Sequence, residues 1–147
     1  MNFSRDCGER ACLSTERWRS RSRTAAAMAA LIVARVTVAL VPFNRWQRTL
    51  GRRGPPSDAN VVAARRVANH VEWAARRLPF ESKCLPRAMA LSWLLRRKKM
   101  AHTVIFAVRP AERRGSQDDL HAWVELDGKT ILGDLPGPWV ETLRLEG

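Results

Sequence analysis

The chain has 147 residues, enough for one hydrophobic core but not for two. Lys and Arg outnumber Asp and Glu by 26 to 14, giving a formal net charge of +12 and inviting nucleic acid, an anionic membrane or an acidic partner. The basic residues come as scattered pairs (Arg65-Arg66, Arg76-Arg77, Arg96-Arg97) with no interleaved aromatics and no Tyr, which argues against nucleic acid.

Residues 1–24 are polar and Arg-rich and read as a disordered basic head, leaving 25–147 as a single folded domain. Cys7 and Cys12 lie in that head. No second ligand pair follows them, so the sequence implies no metal. With Cys84 they make an odd count without even spacing. That pattern suits a reducing, cytoplasmic setting and one functional thiol rather than a secreted disulfide scaffold.

From Ala25 to Phe43 the chain is almost wholly apolar, and basic residues before an apolar stretch resemble a signal peptide or membrane anchor. Arg35, however, sits at its centre, where a lipid-facing charge costs several kcal/mol. Pro42 then ends the run and Arg45, Arg48, Arg52 and Arg53 follow, with no small-x-small cleavage site. The reading is a buried or partly interfacial helix, with membrane contact through residues 25–43 as the lesser alternative.

Gly51-Arg-Arg-Gly-Pro-Pro56 is a loop by composition. Ser57 or Asp58 can then cap a helix running to about Leu78. Along it Val61, Ala64, Val67, Ala68, Val71, Ala75 and Leu78 recur at helical spacing and should face the core. His70 on this helix reads as a partly buried structural residue. Pro79 ends the helix, and a short loop leads to Cys84.

The next helix should begin near Cys84, because Pro86 is best tolerated in a first turn. The sulfur would then lie at the positive end of the helix dipole, near Lys83 and Arg87, and both effects favour the thiolate. Met89, Leu91, Trp93, Leu94 and Leu95 read as core packing. A strand follows at Thr103–Val108, then a polar loop through Arg109–Asp119. Two strands flanking Asp127-Gly128, the dipeptide most typical of a two-residue hairpin, come last.

Closing that turn pairs residue 126 with 129 and, continuing outward, His121 with Asp134. Directly opposed residues have Cβ atoms about 4.5–5.5 Å apart, so the turn alone should set a carboxylate beside an imidazole. A thiol, a base and a group that orients the base make up the machinery of a cysteine protease or acyltransferase. Cys84, His121 and Asp134 are therefore the candidate catalytic residues. His102 is a lesser candidate base, Trp123 reads as packing, and Glu125 as a solvated strand residue. The predicted fold class is α+β, with N-terminal helices followed by a Cys-bearing helix packed on a small antiparallel sheet.

The order of Cys-helix, strand, HAWVE and trailing Asp resembles the transglutaminase-like fold, a circularly related cousin of papain. More narrowly, the chain is similar to the leader peptidases, or B proteins, of lasso-peptide maturation. The narrower likeness lies in an RxxxxLxPF-like opening (Arg35 to Phe43) joined to PFxSxCLPRAxAL (Pro79 to Leu91). That resemblance implies that Cys84 attacks the peptide bond ending a leader sequence, His121 activates the thiol and protonates the leaving amine, and Asp134 holds the imidazole. The backbone N–H of Cys84 is a candidate oxyanion donor. Peptide hydrolysis of this kind requires no cofactor. ATP belongs to the separate lasso cyclase that closes the freed core peptide, and its part in the cleavage is left open.

Relatives often carry Gly where Lys99 stands, and another near Ala107. The segment before the apolar helix is too short for the winged-helix, PqqD-type module with which some relatives bind leaders. The expected partners are thus the precursor peptide and a separate small leader-recognition protein, with the cyclase as a further contact. Two rival readings are a transglutaminase-like acyltransferase using the same triad, and a basic binding module in which Cys84 is structural.

Overall fold

In a computed structural model, residues 5–55, 58–115 and 119–147 are described, with side chains from residue 16 onward except 58 and 59. Among the described residues, four α-helices precede most of a four-stranded antiparallel sheet, an α+β arrangement. The helices are α1 (Arg5–Leu40), the short α2 (Phe43–Trp46), α3 (Asp58–Arg77) and α4 (Cys84–Arg97). The strands β1 (Thr103–Val108), β2 (Leu120–Leu126), β3 (Lys129–Leu132) and β4 (Val140–Leu145) lie in the order β3-β2-β1-β4.

Helix α1 begins well before the expected Ala25, and the segment read as a disordered head is helical from Arg5. Residues 5–24 hold one Gly and no Pro, and Arg, Glu and Ala are good helix formers, so nothing local stops the helix. The side chains of Cys7 and Cys12 lie outside the described residues, as does the choice between Ser57 and Asp58 as cap.

Ala27, Leu31 and Ala34 form the buried face of α1, which packs on α3 and α4. Ile32, Val33, Val36 and Leu40 are exposed on the opposite side. The stretch Glu16–Leu40 is long and apolar enough to cross a membrane, a property it shares with core helices and signal sequences. Arg35 points to neither face. Its guanidinium lies 4.5 Å from the centre of the Phe80 ring and donates to the Glu81 carbonyl at 3.1 Å. The charge at the middle of the apolar stretch therefore holds the loop that leads into Cys84.

The spacing read along α3 is the spacing observed. Val61, Ala64, Ala68, Val71 and Ala75 are buried, while Val67 and Leu78 pack against them from the edge. Helix α4 is the centre of the core, with Ala88, Met89, Ala90, Leu91, Ser92 and Leu95 all buried. Six buried residues within eight positions leave the helix no solvent face there, because α1, α3 and β2 cover it from different directions. Ser92 is the polar member of that run. Its hydroxyl accepts the Gly51 N–H at 3.0 Å and lies 2.7 Å from Nε2 of His102, whose Nδ1 donates to the Met100 carbonyl at 3.0 Å. Both ring nitrogens of His102 are thus committed to a buried structural network, and it is not the base.

Asp127 and Gly128 both have positive φ, +53° and +72°, the conformation a two-residue hairpin turn requires. Strand β4 was not anticipated from sequence. Its residues are mostly exposed, and it pairs with the outer edge of β1 without a continuous apolar face of its own.

Helix α4 ends in a Schellman pair, with the Met100 N–H on Leu95 O at 3.0 Å and the Lys99 N–H on Arg96 O at 2.9 Å. This geometry puts Lys99 at φ +57°, in the left-handed region. A Gly at this position would sit there without strain. Replacing Lys99 with Gly should raise stability by about 0.5–1 kcal/mol, read as a higher urea midpoint with an unchanged slope. An unchanged or lower midpoint would show that the lysine is not strained.

Candidate active site

Lys83 is the residue before α4, and its side chain makes no cap hydrogen bond to the first-turn N–H groups. Cys84 is half-buried there, and its thiol lies 3.7 Å from the Leu120 carbonyl at the start of β2. The next residue of β2 is His121, only 8% exposed, and its ring lies close enough to the Cys84 sulfur for each group to shift the other's pKa. Packing of α4 on β2 therefore brings together two residues 37 positions apart.

Nε2 of His121 lies 2.6 Å from the Gly133 carbonyl, an acceptor only, so Nε2 carries the proton and Nδ1 is the acceptor of the neutral ring. Burial pushes the Cys84 thiol up, but its hydrogen bond with His121 and backbone contacts at Ala122 and Leu85 outweigh this, and the net shift is down. The pairing with Cys84 raises His121, opposed by burial, supported by the Gly133 carbonyl and opposed again by the Arg109 charge. Both shifts favour a thiolate–imidazolium pair. Arg87 does not contribute as expected from sequence. It turns away to meet Glu72 on α3 at 3.4 Å.

The predicted opposition of His121 and Asp134 does not occur. Leu126 pairs with Lys129 and Glu125 with Thr130, as the turn requires, but Val124 then pairs with Leu132. Ile131 is an extra residue on β3, a β-bulge that advances the register by one. Continued outward, this register sets Asp134 opposite Ala122, one residue short of His121, and the Gly133 carbonyl arrives at the ring instead. Asp134 is exposed, yet it borders the same cavity of about 140 Å³ as His121, Trp123, Gly133 and Trp139. Among the described residues its carboxylate makes no hydrogen bond to His121.

Two indoles flank the imidazole. Trp123 stacks on it with ring centres 5.8 Å apart, and Trp139 tilts over it at 5.0 Å. Trp139 in turn carries the Arg109 guanidinium 4.9 Å from its ring centre. Trp123 is at the edge of the site rather than in the core. Its Nε1 donates to Glu125 at 2.9 Å, and Glu125 also meets Arg144 of β4 at 3.1 Å. Glu125 is thus an ion-paired support, not a solvated strand residue. Sequence reading missed Gly133 and Trp139. The only local signal was a Gly beside the candidate Asp at the strand end.

The model of a family described as the transglutaminase-like superfamily matches residues 27–142. The chain belongs to the transglutaminase-like superfamily. The matched span runs from α1 into β4 and contains Cys84, His121 and Asp134. No curated protein and no solved structure gives a match. Membership in the superfamily points to activity of the cysteine-protease or acyltransferase type, which is the chemistry the Cys84–His121 pair can perform.

Alkylation of Cys84 should follow a pH midpoint below the ordinary thiol value of about 8.5. In His121→Ala the ring interaction and charge that lower the thiol are lost while burial remains, so the midpoint should rise. Equal midpoints would mean that the two residues are not coupled. Gly133 has φ +89°, and a Cβ there would stand 2.9 Å from the Trp123 Cβ and 3.0 Å from the Ala122 carbonyl. Gly133→Ala must therefore move the carbonyl off Nε2. It should raise the Cys84 midpoint and cost about 1–3 kcal/mol of stability. A stability loss with an unmoved midpoint would restrict Gly133 to folding.

Proposed function

We propose that this protein is a cysteine peptidase that removes the leader from a lasso-peptide precursor. The observation that carries the thiol chemistry is the approach of Cys84, at the uncapped start of α4, to the first residues of β2, where it and His121 shift each other's pKa toward the charged pair. The narrower reading is supported by the two sequence motifs that resemble the leader peptidases. In the fold, Arg35 of the first motif grips Phe80 and Glu81 of the second.

In this mechanism the Cys84 thiolate attacks the carbonyl carbon at the end of the leader. The backbone N–H of Cys84, at the start of α4, is the candidate donor to the developing oxyanion. His121 gives its Nδ1 proton to the leaving amine, and the leader remains as a thioester on Cys84. Water, deprotonated by the now neutral Nδ1, then hydrolyses the thioester. The Gly133 carbonyl keeps the second proton on Nε2 throughout. Asp134, one residue beyond, supports the imidazolium through its charge from the edge of the cavity. The step needs no cofactor. The partners are the precursor, a separate PqqD-like leader-recognition protein and the cyclase that consumes the product, all in the cytoplasm. An acyltransferase would form the same thioester and deliver it to an amine instead of water.

The test is mass spectrometry of the cognate precursor incubated with the enzyme, with and without the leader-binding protein. A single cut at the leader–core junction, absent in Cys84→Ala, is expected. His121→Ala should lose on the order of 10²–10⁴-fold in rate. Asp134→Asn should lose no more than about tenfold, the equivalent of one pKa unit of imidazolium support. The rate should rise with pH as the pair gives up its first proton, below the ordinary thiol range. It should fall as the second proton leaves, above the ordinary His value of about 6.5. A product joined to an amine would replace the peptidase reading by acyl transfer, and full activity of Cys84→Ala would end both.

A further inference from the structure

A cavity of about 410 Å³ opens between α1, α3 and the far end of α4, away from the thiol. Its rim carries Arg23 from α1, Arg66 and His70 from α3, and Arg97 and Lys98 from the end of α4. Its floor is apolar, made by Ala26, Ala63, Val67 and Leu94. No carboxylate lines it. Among the described residues none of these four guanidinium and ammonium groups has an ion pair or hydrogen bond, whereas Arg87 and Arg144 both find acidic partners.

A helix C-terminus accounts for part of this charge, since Arg97 and Lys98 complement the dipole of α4. It does not account for Arg23 and Arg66, which come to the same cavity from two other helices. Four like charges around one concavity repel one another and focus a positive potential inside it, both of which an anion would relieve. His70 is anchored through Nδ1, which lies 3.1 Å from the Thr24 hydroxyl. Thr24 spends its own proton on the Ser20 carbonyl, so Nδ1 is the donor and Nε2 is left without a partner among the described residues.

The catalytic pair does not use this site. Cys84 opens α4 and Arg97 closes it, and at about 1.5 Å per residue the two are separated by about 20 Å. An extended peptide covers that distance in about six residues. We propose that this cavity binds an acidic segment of the peptide substrate, taking two or more carboxylates at least about six residues from the cleaved bond. The choice of a peptide over a phosphate ligand rests on the peptidase reading above. The cavity itself requires only a multiply charged anion of modest size with an apolar body.

The experiment is fluorescence anisotropy of a dye-labelled hexaglutamate peptide with the full chain, at about 0.1 M salt, where distant charges are screened. Hexaglutamine, Arg66→Ala/Arg97→Ala and Arg45→Ala/Arg48→Ala serve as comparisons. The last variant removes the same charge from exposed positions outside the cavity. Binding of hexaglutamate but not hexaglutamine is expected, weakened at least about tenfold in the Arg66/Arg97 variant and within about twofold of wild type in the Arg45/Arg48 variant. Circular dichroism confirms folding of each, and Arg97→Glu alone, on an exposed side chain, should reproduce the loss. No binding, or equal losses in the two double variants, would overturn the site. Displacement by pyrophosphate at far lower concentration than by unlabelled hexaglutamate would overturn the acidic-peptide assignment. Because no cleavage is read, cavity-dependent binding beside an uncut precursor would sink the peptidase reading alone.

Discussion

Burial of α4 from several sides at once is the constraint on which the rest of this structure depends. A helix with Ala88 through Ser92 all buried cannot rotate or slide without opening a cavity or overpacking a neighbour, each at a cost of about 1–5 kcal/mol. Its first residue, Cys84, is therefore held in position relative to β2, and His121 at the start of that strand meets the thiol. The same rigidity separates the two ends of α4. One end carries the reactive sulfur among backbone N–H groups; the other joins its cations to those of α1 and α3.

The imidazole is oriented by the backbone. A carbonyl can only accept, so the contact between Gly133 and Nε2 leaves one tautomer for the neutral ring, with Nδ1 as its acceptor. A carboxylate in the same place would add charge and pull the imidazole pKa higher. A carbonyl gives direction with a smaller electrostatic effect. The two indoles on the ring limit water around it, which strengthens its hydrogen bond to the Gly133 carbonyl in a lower local dielectric.

Much of this was legible in the sequence because it rests on short-range rules. Pro86 fixed the start of α4, the spacing from Val61 to Leu78 marked the buried face of α3, and Asp127-Gly128 specified the hairpin turn. The bulge at Ile131 was not legible, since an extra strand residue leaves no local signature and its effect is a shift of pairing between distant residues. That one residue separates the expected His121–Asp134 pair from the observed His121–Gly133 contact. Strand β4 escaped for a related reason. Its stability comes from hydrogen bonds to β1, and an exposed edge strand needs no apolar alternation to declare itself. Glu125 was misread because its partner, Arg144, lies on that unanticipated strand.

Arg35 shows how one residue can bear on two properties. Taken alone, a guanidinium amid nineteen mostly apolar residues, 25–43, bears on membrane insertion, and it argued against lipid exposure. In the fold it stacks on Phe80 and bonds the Glu81 carbonyl, three residues before the thiol. A backbone carbonyl and an aromatic face together require a planar donor of fixed charge, which Lys would not replace. The Pro79–Lys83 loop has no regular hydrogen-bond ladder to hold it, and slack there would be transmitted to the first turn of α4. The two stretches that narrow the sequence resemblance are thus one physical unit, in which an arginine on α1 fastens the approach to Cys84.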